Sequence, residues 1–322
     1  MKAIYFDHYG PPDVLSLREV ATPSPGAGEV LIKVHASSVN AADWHIMRAD
    51  PFLARLMFGI FKPKFHFLGL DVAGVVEAVG TGVSEFKVGD EVFGCLEFPA
   101  LGAFAEYVCA RESLLAHKPE NINFEEAAAV PLAGGTALRA LVDYGQVKAG
   151  MKVLINGAAG GVGTFAVQIA KALGAEVTAV CSERNLEQAR RLGATHVIDY
   201  AKEDFTRGDQ RYDMILAANG YHPLSAYKRA LAPRGIYGMT GGKGKQMAEA
   251  IFFGKLMAIG SGVKLGTVDF KPRKSDVLYL KGLIEAGKLV SAIDKRFTLA
   301  EVPAAIAYLE EGHARGKVVI TV

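Results

Sequence analysis

The sequence predicts a two-part α/β chain, in which a β-rich first third precedes a parallel, doubly wound sheet. Three observations carry that prediction. Short β-rich runs divided by Gly/Pro turns fill the beginning of the chain. From Phe124 onward, strand-like runs alternate with helical ones. At the head of that alternation, Val153-Leu-Ile-Asn breaks into Gly157-Ala-Ala-Gly-Gly-Val-Gly163. Val162, Phe165, Ala166, Ile169 and Ala170 then recur at helical spacing.

In order, the first third is expected to form strands at 1–6, 15–20, 29–38, 72–79 and 91–94, separated by turns such as Tyr9-Gly-Pro-Pro and Pro23-Ser-Pro-Gly-Ala-Gly. Phe124-Glu-Glu-Ala-Ala-Ala-Val-Pro and 136–144 are expected to be helical. Strands follow at 152–156, 176–181, 196–199, 213–217, 235–239 and 257–262, with helices at 161–173, 186–192, 223–231 and 245–253. After residue 265 come helices at 274–287 and 299–311 and a last strand at 316–322. They add no further βα unit, so the tail is expected to pack on the N-terminal part. The predicted domains are therefore 1–124, 125–265 and a returning segment 266–322.

At 322 residues the chain can hold two cores. It is 50% hydrophobic and 22% charged, as soluble globular proteins are. A net charge of +2 supplies no long-range field for nucleic acid or an anionic membrane. No apolar run is long enough to span a membrane, and Met1-Lys-Ala-Ile-Tyr-Phe-Asp does not read as a secretory signal. Cys95, Cys109 and Cys181 are too few and too scattered for a disulfide framework, which suits a reducing, cytoplasmic setting.

The glycine turn is where chemistry first shows. The spacing Ala158-x-Gly160-x-x-Gly163 opens a helix directly after a strand, and Glu176–Cys181 completes the β-α-β unit. In that context the backbone of Ala158, Gly160, Gly161, Val162 and Gly163 can approach a pyrophosphate, which meets unpaired N–H groups and the positive helix end. An alanine stands where the usual fingerprint has its first glycine.

Gly69-Leu-Asp-Val-Ala-Gly74, Val88-Gly-Asp-Glu-Val-Phe93, Gly102-Ala-Phe-Ala-Glu-Tyr107, Ala127-Ala-Ala-Val-Pro131, the glycine loop, Leu192-Gly-Ala194 and Gly316-Lys-Val-Val-Ile320 resemble the medium-chain dehydrogenase/reductase superfamily over essentially the whole chain. Within it the chain looks like the zinc-free quinone oxidoreductase branch, and is similar to reductases related to the reticulon-interacting mitochondrial protein. The resemblance implies a GroES-like β domain, a Rossmann domain and a cleft for substrate. It also implies no metal: zinc members carry Cys, His and Cys where this chain has Asn40, Leu70 and the thiol-free Pro131-Leu-Ala-Gly-Gly135. A site improvised from Asp43, His45 and Asp71 is the weaker alternative. Without a Lewis acid, the favoured acceptors are those that delocalise the incoming charge, namely quinones and α,β-unsaturated carbonyls.

The second strand of the unit ends in Cys181-Ser182, where NAD-specific domains place an acid. Ser182 and Arg184 can take the 2′-phosphate of NADPH instead, with Glu183 on the ribose as the competing reading. By resemblance, Tyr200 lines the phosphate pocket, Lys317 reaches the cofactor, Thr136 contacts the nicotinamide amide, and Gly241 and Gly242 admit its ring. Asn219 joins these contacts in a segment where Ala217 and Asn219 depart from the family pattern. Asn40-Ala-Ala-Asp-Trp-His45 matches the segment beside the nicotinamide. Asn40 and His45 are expected to polarise the acceptor, with His45 or water returning a proton, and Asp43 to brace the loop.

The apolar run 51–61 is expected to wall a hydrophobic pocket, with Ile251-Phe-Phe253 opposite; a subunit contact or a membrane hook are the alternatives. Pairing of the 257–262 edge strand would make a homodimer. The expected function is NADPH-dependent hydride transfer to quinones or enones. The alternatives are a broad alcohol/aldehyde dehydrogenase and a non-catalytic NADPH-binding structural protein.

Overall fold

The computed structural model describes residues 1–322 apart from Pro51 and Lys243, with the side chains of Leu53 and Lys245 also left aside. Pro51, the first residue of the apolar 51–61 run, thus lies outside the described residues. Two compact units divide the chain: 1–133 with 271–322, and 134–270.

The first unit begins with β1 (Lys2–Tyr5) and β2 (Ser16–Glu19), an antiparallel pair. Its main sheet uses β3 (Glu29–Val39), β4 (Asp71–Val79), β5 (Glu91–Cys95), β6 (Tyr107–Arg111) and β7 (Leu115–His117). β3 is the spine. Val30, Ile32, Val34 and Ala36 are buried while Lys33 and His35 face out, the period-2 pattern of a half-covered strand. β4 pairs along one side of β3, and β6 pairs with the first half of the other side, Glu29–Lys33. The helix Phe124–Ala128 packs on β3 and β4 with Ala127 and Ala128 fully buried. That packing carries the first unit on to Ala133, past the expected boundary at 124.

The second unit is a six-stranded parallel sheet of β8 (Lys152–Asn156), β9 (Glu176–Cys181), β10 (His196–Asp199), β11 (Tyr212–Ala217), β12 (Leu231–Met239) and β13 (Lys264–Thr267), in the order β10-β9-β8-β11-β12-β13. Counted from β8, this is 3-2-1-4-5-6, the order of a doubly wound dinucleotide-binding sheet, whose switch point lies between β8 and β11. The helices Gly161–Ala172, Leu186–Leu192 and Leu224–Ala230 lie close to their predicted places. The sixth strand does not. Residues 254–258 form a helix and the strand lies at Lys264–Thr267, because Gly260 and Gly262 both sit at φ +71°, which ends any extended run through 257–262.

The chain then returns to the first unit. The helix Lys274–Glu285 leads to β14 (Ile293–Thr298), which sequence patterning misses because its Asp294, Lys295 and Arg296 read as loop. The helix Val302–Glu310 precedes β15 (Lys317–Thr321), which lies parallel to β14 and antiparallel to β3 over Ala36–Val39. β15 thus completes the side of β3 that β6 leaves open. Among the described residues, no helix is long and apolar enough to cross a membrane.

Candidate functional site

Two clusters of the predicted site residues form, one in each unit. In the first unit, β3 ends in Ser37-Ser38-Val39, Asn40 follows, and the helix Ala41–Arg48 begins. The helix starts here because the Asp43 carboxylate reaches back to accept the Asn40 backbone N–H at 2.8 Å, one half of a capping box. Its other oxygen accepts Gly69 N–H at 3.0 Å, pinning the approach to β4.

Asp71, the first residue of β4, is the hub. Its carboxylate accepts Ser38 Oγ at 2.6 Å, Asn40 Nδ2 at 2.8 Å and Leu132 N at 2.8 Å, and Lys317 Nζ lies 3.5 Å away. Lys317 also donates to Asn40 Oδ1 at 2.5 Å and to Val39 O. Asp43 and Asp71 are fully buried, Asn40 is 5% exposed and Lys317 is 3% exposed. Burial depresses the Lys317 pKa, opposed by the two carboxylates. Burial likewise pushes Asp43 up to about 7, against its two N–H donors.

These positions change what each residue can do. Lys317, expected at the cofactor, spends its ammonium inside the first unit on Asn40 and Asp71. Asn40 has both amide hydrogen-bonding ends engaged, donating to Ser38 O and Asp71 and accepting from Lys317, so it fixes the β3–helix junction. His45 donates Nδ1–H to Asp50 O at 2.7 Å and stacks on Trp44. Burial lowers its pKa, against the pull of Asp50 and Glu310. Asp43 braces the junction through the Asn40 and Gly69 N–H groups.

The donor set also does not fit a metal. The oxygens of Asp43 and Asp71 already accept N–H, O–H and ammonium groups, His45 Nδ1 is turned to Asp50 O, and the Leu70 side chain is buried. No group of three or more His, Cys, Asp or Glu able to hold a metal exists among the described residues.

In the second unit the glycine loop follows β8, with Gly157 at φ +85°. A Cβ at Gly163 would stand 2.1 Å from Gly157 O, so only glycine lets the helix close on the strand. A Cβ at Gly160 would meet nothing nearer than 3.7 Å, so that side of the loop is open. Gly160 N-caps the helix without a side-chain partner, leaving the first-turn N–H groups aimed outward. Ala158 is buried, its N–H bonded to Val180 O, so here it is a packing residue of the loop. Asn219 stands at the end of β11 beside Gly157, and Gly220 bridges Gly242 across the carboxyl edge of the sheet. At the end of β9, Ser182 Oγ accepts Asn185 Nδ2, Arg184 is exposed, and Glu183 is held by Lys202 at 2.6 Å. Tyr200 is half exposed, its ring 6.0 Å from that of Tyr221. Thr136 is buried and Gly241 partly so. This cradle fits a dinucleotide.

Ser38, Asp71 and Lys202 were not singled out in these roles from sequence. The signal for the first two was present: a polar residue inside an otherwise apolar strand run needs a buried partner.

Residues 26–120 match the alcohol dehydrogenase GroES-like domain, and residues 192–320 the zinc-binding dehydrogenase family. A chloroplastic quinone-oxidoreductase QR1 of Triphysaria versicolor is 36% identical over 99% of this chain and 98% of its own. The chain belongs to the medium-chain dehydrogenase/reductase superfamily, in its quinone-oxidoreductase-like branch. Members of this branch are NAD(P)H-dependent oxidoreductases. The chain is also similar to a chloroplastic NADPH-dependent alkenal/one oxidoreductase of Arabidopsis thaliana, 36% identical over 99% of this chain and 79% of that protein. A solved quinone oxidoreductase from Coxiella burnetii superposes with a TM-score of 0.87 at 33% identity, over 100% of this chain and 99% of that one. The family description names zinc, yet the Asn40 and Leu70 positions of this member carry neither thiolate nor imidazole.

Lys317→Met should leave Asp71 buried without its cation and cost about 3–5 kcal/mol, read from urea unfolding. A loss below 1 kcal/mol would mean the pair is exposed in solution. The Asp43 carboxyl ionises near 3.8 when unfolded and near 7 when folded. Between those values only the folded chain holds this proton, so the group's contribution to stability falls as pH rises to about 7 and is flat above. Asp43→Asn, which cannot titrate, should therefore be less stable than the parent by a margin that narrows by a few kcal/mol across that window. A margin independent of pH would show that Asp43 stays ionised throughout.

Proposed function

We propose that the protein is an NADPH-dependent reductase of quinones or α,β-unsaturated carbonyls that works without zinc. The observation that carries the reading is the glycine cradle at the β8/β11 switch point, next to a β9 terminus where Glu183 is paired with Lys202. Glu183, the competing ribose ligand, is paired with Lys202, while Ser182 and Arg184 present a hydroxyl and a guanidinium. That pairing suits a 2′-phosphate better than a bare 2′-hydroxyl.

Bound NADPH supplies the hydride. The first-turn N–H groups of Gly161–Ala172 hold the pyrophosphate, Ser182 and Arg184 hold the 2′-phosphate with Tyr200 beside it, and Asn219, Gly241 and Gly242 allow close backbone approach. In the first unit, the Asn40–Asp71–Lys317 cluster fixes the junction after β3. With no metal to polarise a simple ketone, acceptors that spread the new charge into a phenolate or enolate are preferred, and water returns the proton. The relatives' names, quinone oxidoreductase and alkenal/one oxidoreductase, support that acceptor class. β13 ends the sheet with an open edge, and Ile251, Phe252, Phe253, Leu256 and Ile259 are exposed nearby in sequence, which supports a homodimer through this side of the second unit.

The deciding experiment follows NADPH and NADH oxidation by EDTA-treated protein with quinones, 2-alkenals, cyclohexenone and simple ketones. Turnover of quinones or enones is the expected result. Activity confined to simple carbonyls and restored by zinc would establish an alcohol dehydrogenase instead, and binding of NADPH without turnover a structural role. Arg184→Ala should weaken NADPH by roughly 10–150-fold while sparing NADH; equal loss for both would remove Arg184 from the phosphate site.

A further inference from the structure

The end of β12 carries a polar group that no described residue satisfies. Its ladder continues one residue past Met239, for Thr240 N donates to Ala217 O at 3.0 Å and Val268 N donates to Met239 O. Side chains therefore go on alternating between the two faces of the sheet. Tyr237 and Met239 belong to the core cluster that contains Ala217, Leu224 and Tyr227. Gly238 faces the other way, where an added Cβ would come within 3.0–3.1 Å of Val268 and Tyr144. Thr240 shares the Gly238 face, and its Oγ1 is buried with no hydrogen-bond partner among the described residues. A buried hydroxyl left unpaired is rare and costs free energy unless something outside the ligand-free chain completes it.

Its place says what that is. Thr240 stands at the carboxyl end of a strand, where ligands of open parallel sheets bind, and immediately before Gly241 and Gly242. A doubly wound sheet holds one half of a dinucleotide on each side of its switch point. The β9 side carries Ser182 and Arg184, suited to the adenosine phosphate. The β11-β12-β13 side is left for the nicotinamide, whose carboxamide offers both an acceptor oxygen and donor hydrogens. A threonine hydroxyl meets either one. Resting on the dinucleotide reading above, we propose that the Thr240 hydroxyl anchors the nicotinamide carboxamide and so selects the cofactor's reactive ring and orients it.

Thr240→Val removes the hydroxyl at constant shape and Thr240→Ser keeps it. Three readouts decide: thermal unfolding of the ligand-free protein, and calorimetric affinities for NADPH and for adenosine 2′,5′-bisphosphate, which has no nicotinamide. The valine variant should unfold at the same or a higher temperature when ligand-free. It should bind NADPH at least about 5-fold more weakly and the bisphosphate as the parent does; the serine variant should retain NADPH affinity. Unchanged NADPH binding by the valine variant, equal weakening of both ligands, or a lowered ligand-free unfolding temperature would overturn the assignment. Failure of the parent to bind either ligand would instead overturn the dinucleotide reading, and this inference with it.

Discussion

The first unit is organised around one buried cation. Lys317 lies on the last strand, yet its ammonium meets Asn40 at the end of β3 and Asp71 at the start of β4, so three stretches far apart in sequence share one charge. Placing a lysine there is expensive, and burial does depress its pKa. The cost is offset by the completeness of the cluster: Asp71 also receives a hydroxyl, an amide and a backbone N–H. Such a cluster tolerates few rearrangements, since losing one member strands another away from water. The β3–helix junction and the first residues of β4 are therefore held in one arrangement, and with them the segment the family places beside its cofactor.

The second unit is held by close backbone approach. Gly163 permits the helix to close on the glycine loop, and the loop in turn leaves its outer side open and the helix start without a side-chain cap. Here the helix start has no side-chain cap, whereas in the first unit the Asp71 carboxylate is paired on both oxygens. Asn40, Asp43 and Lys317 all hydrogen-bond within the β3–helix junction of the first unit.

Much of this was legible in the sequence. β8, β9 and β10 were delimited to the residue, because parallel strands buried on both faces stand out as apolar runs between glycine turns and amphipathic helices. β13 was misplaced, since Met257-Ala-Ile-Gly-Ser-Gly has strand composition but its glycines adopt positive φ, which composition does not encode. β14 was missed because an edge strand rich in charge looks like a loop. The glycine cradle was legible because its residue types are dictated by contacts within a few positions. The Lys317–Asp71–Asn40 cluster was not, because its members are joined only by the folded sheet; a buried lysine and an exposed one share the same letter.

The return of the tail also fixes an order of events. Thr321 pairs with Ala36 and Lys317 bonds Asn40 across a separation of 277 residues. The whole of the second unit lies between them in the chain. At a synthesis rate of about 5–20 residues per second, β3 emerges tens of seconds before β15 can reach it. During that interval the second unit, whose sheet pairs within 134–270, can form, while in the first unit Ala36–Val39 lack their β15 partner and Asp71 lacks its counter-charge. The last strand made is therefore the one that closes the oldest part of the sheet, and the buried charge cluster cannot be completed until it arrives.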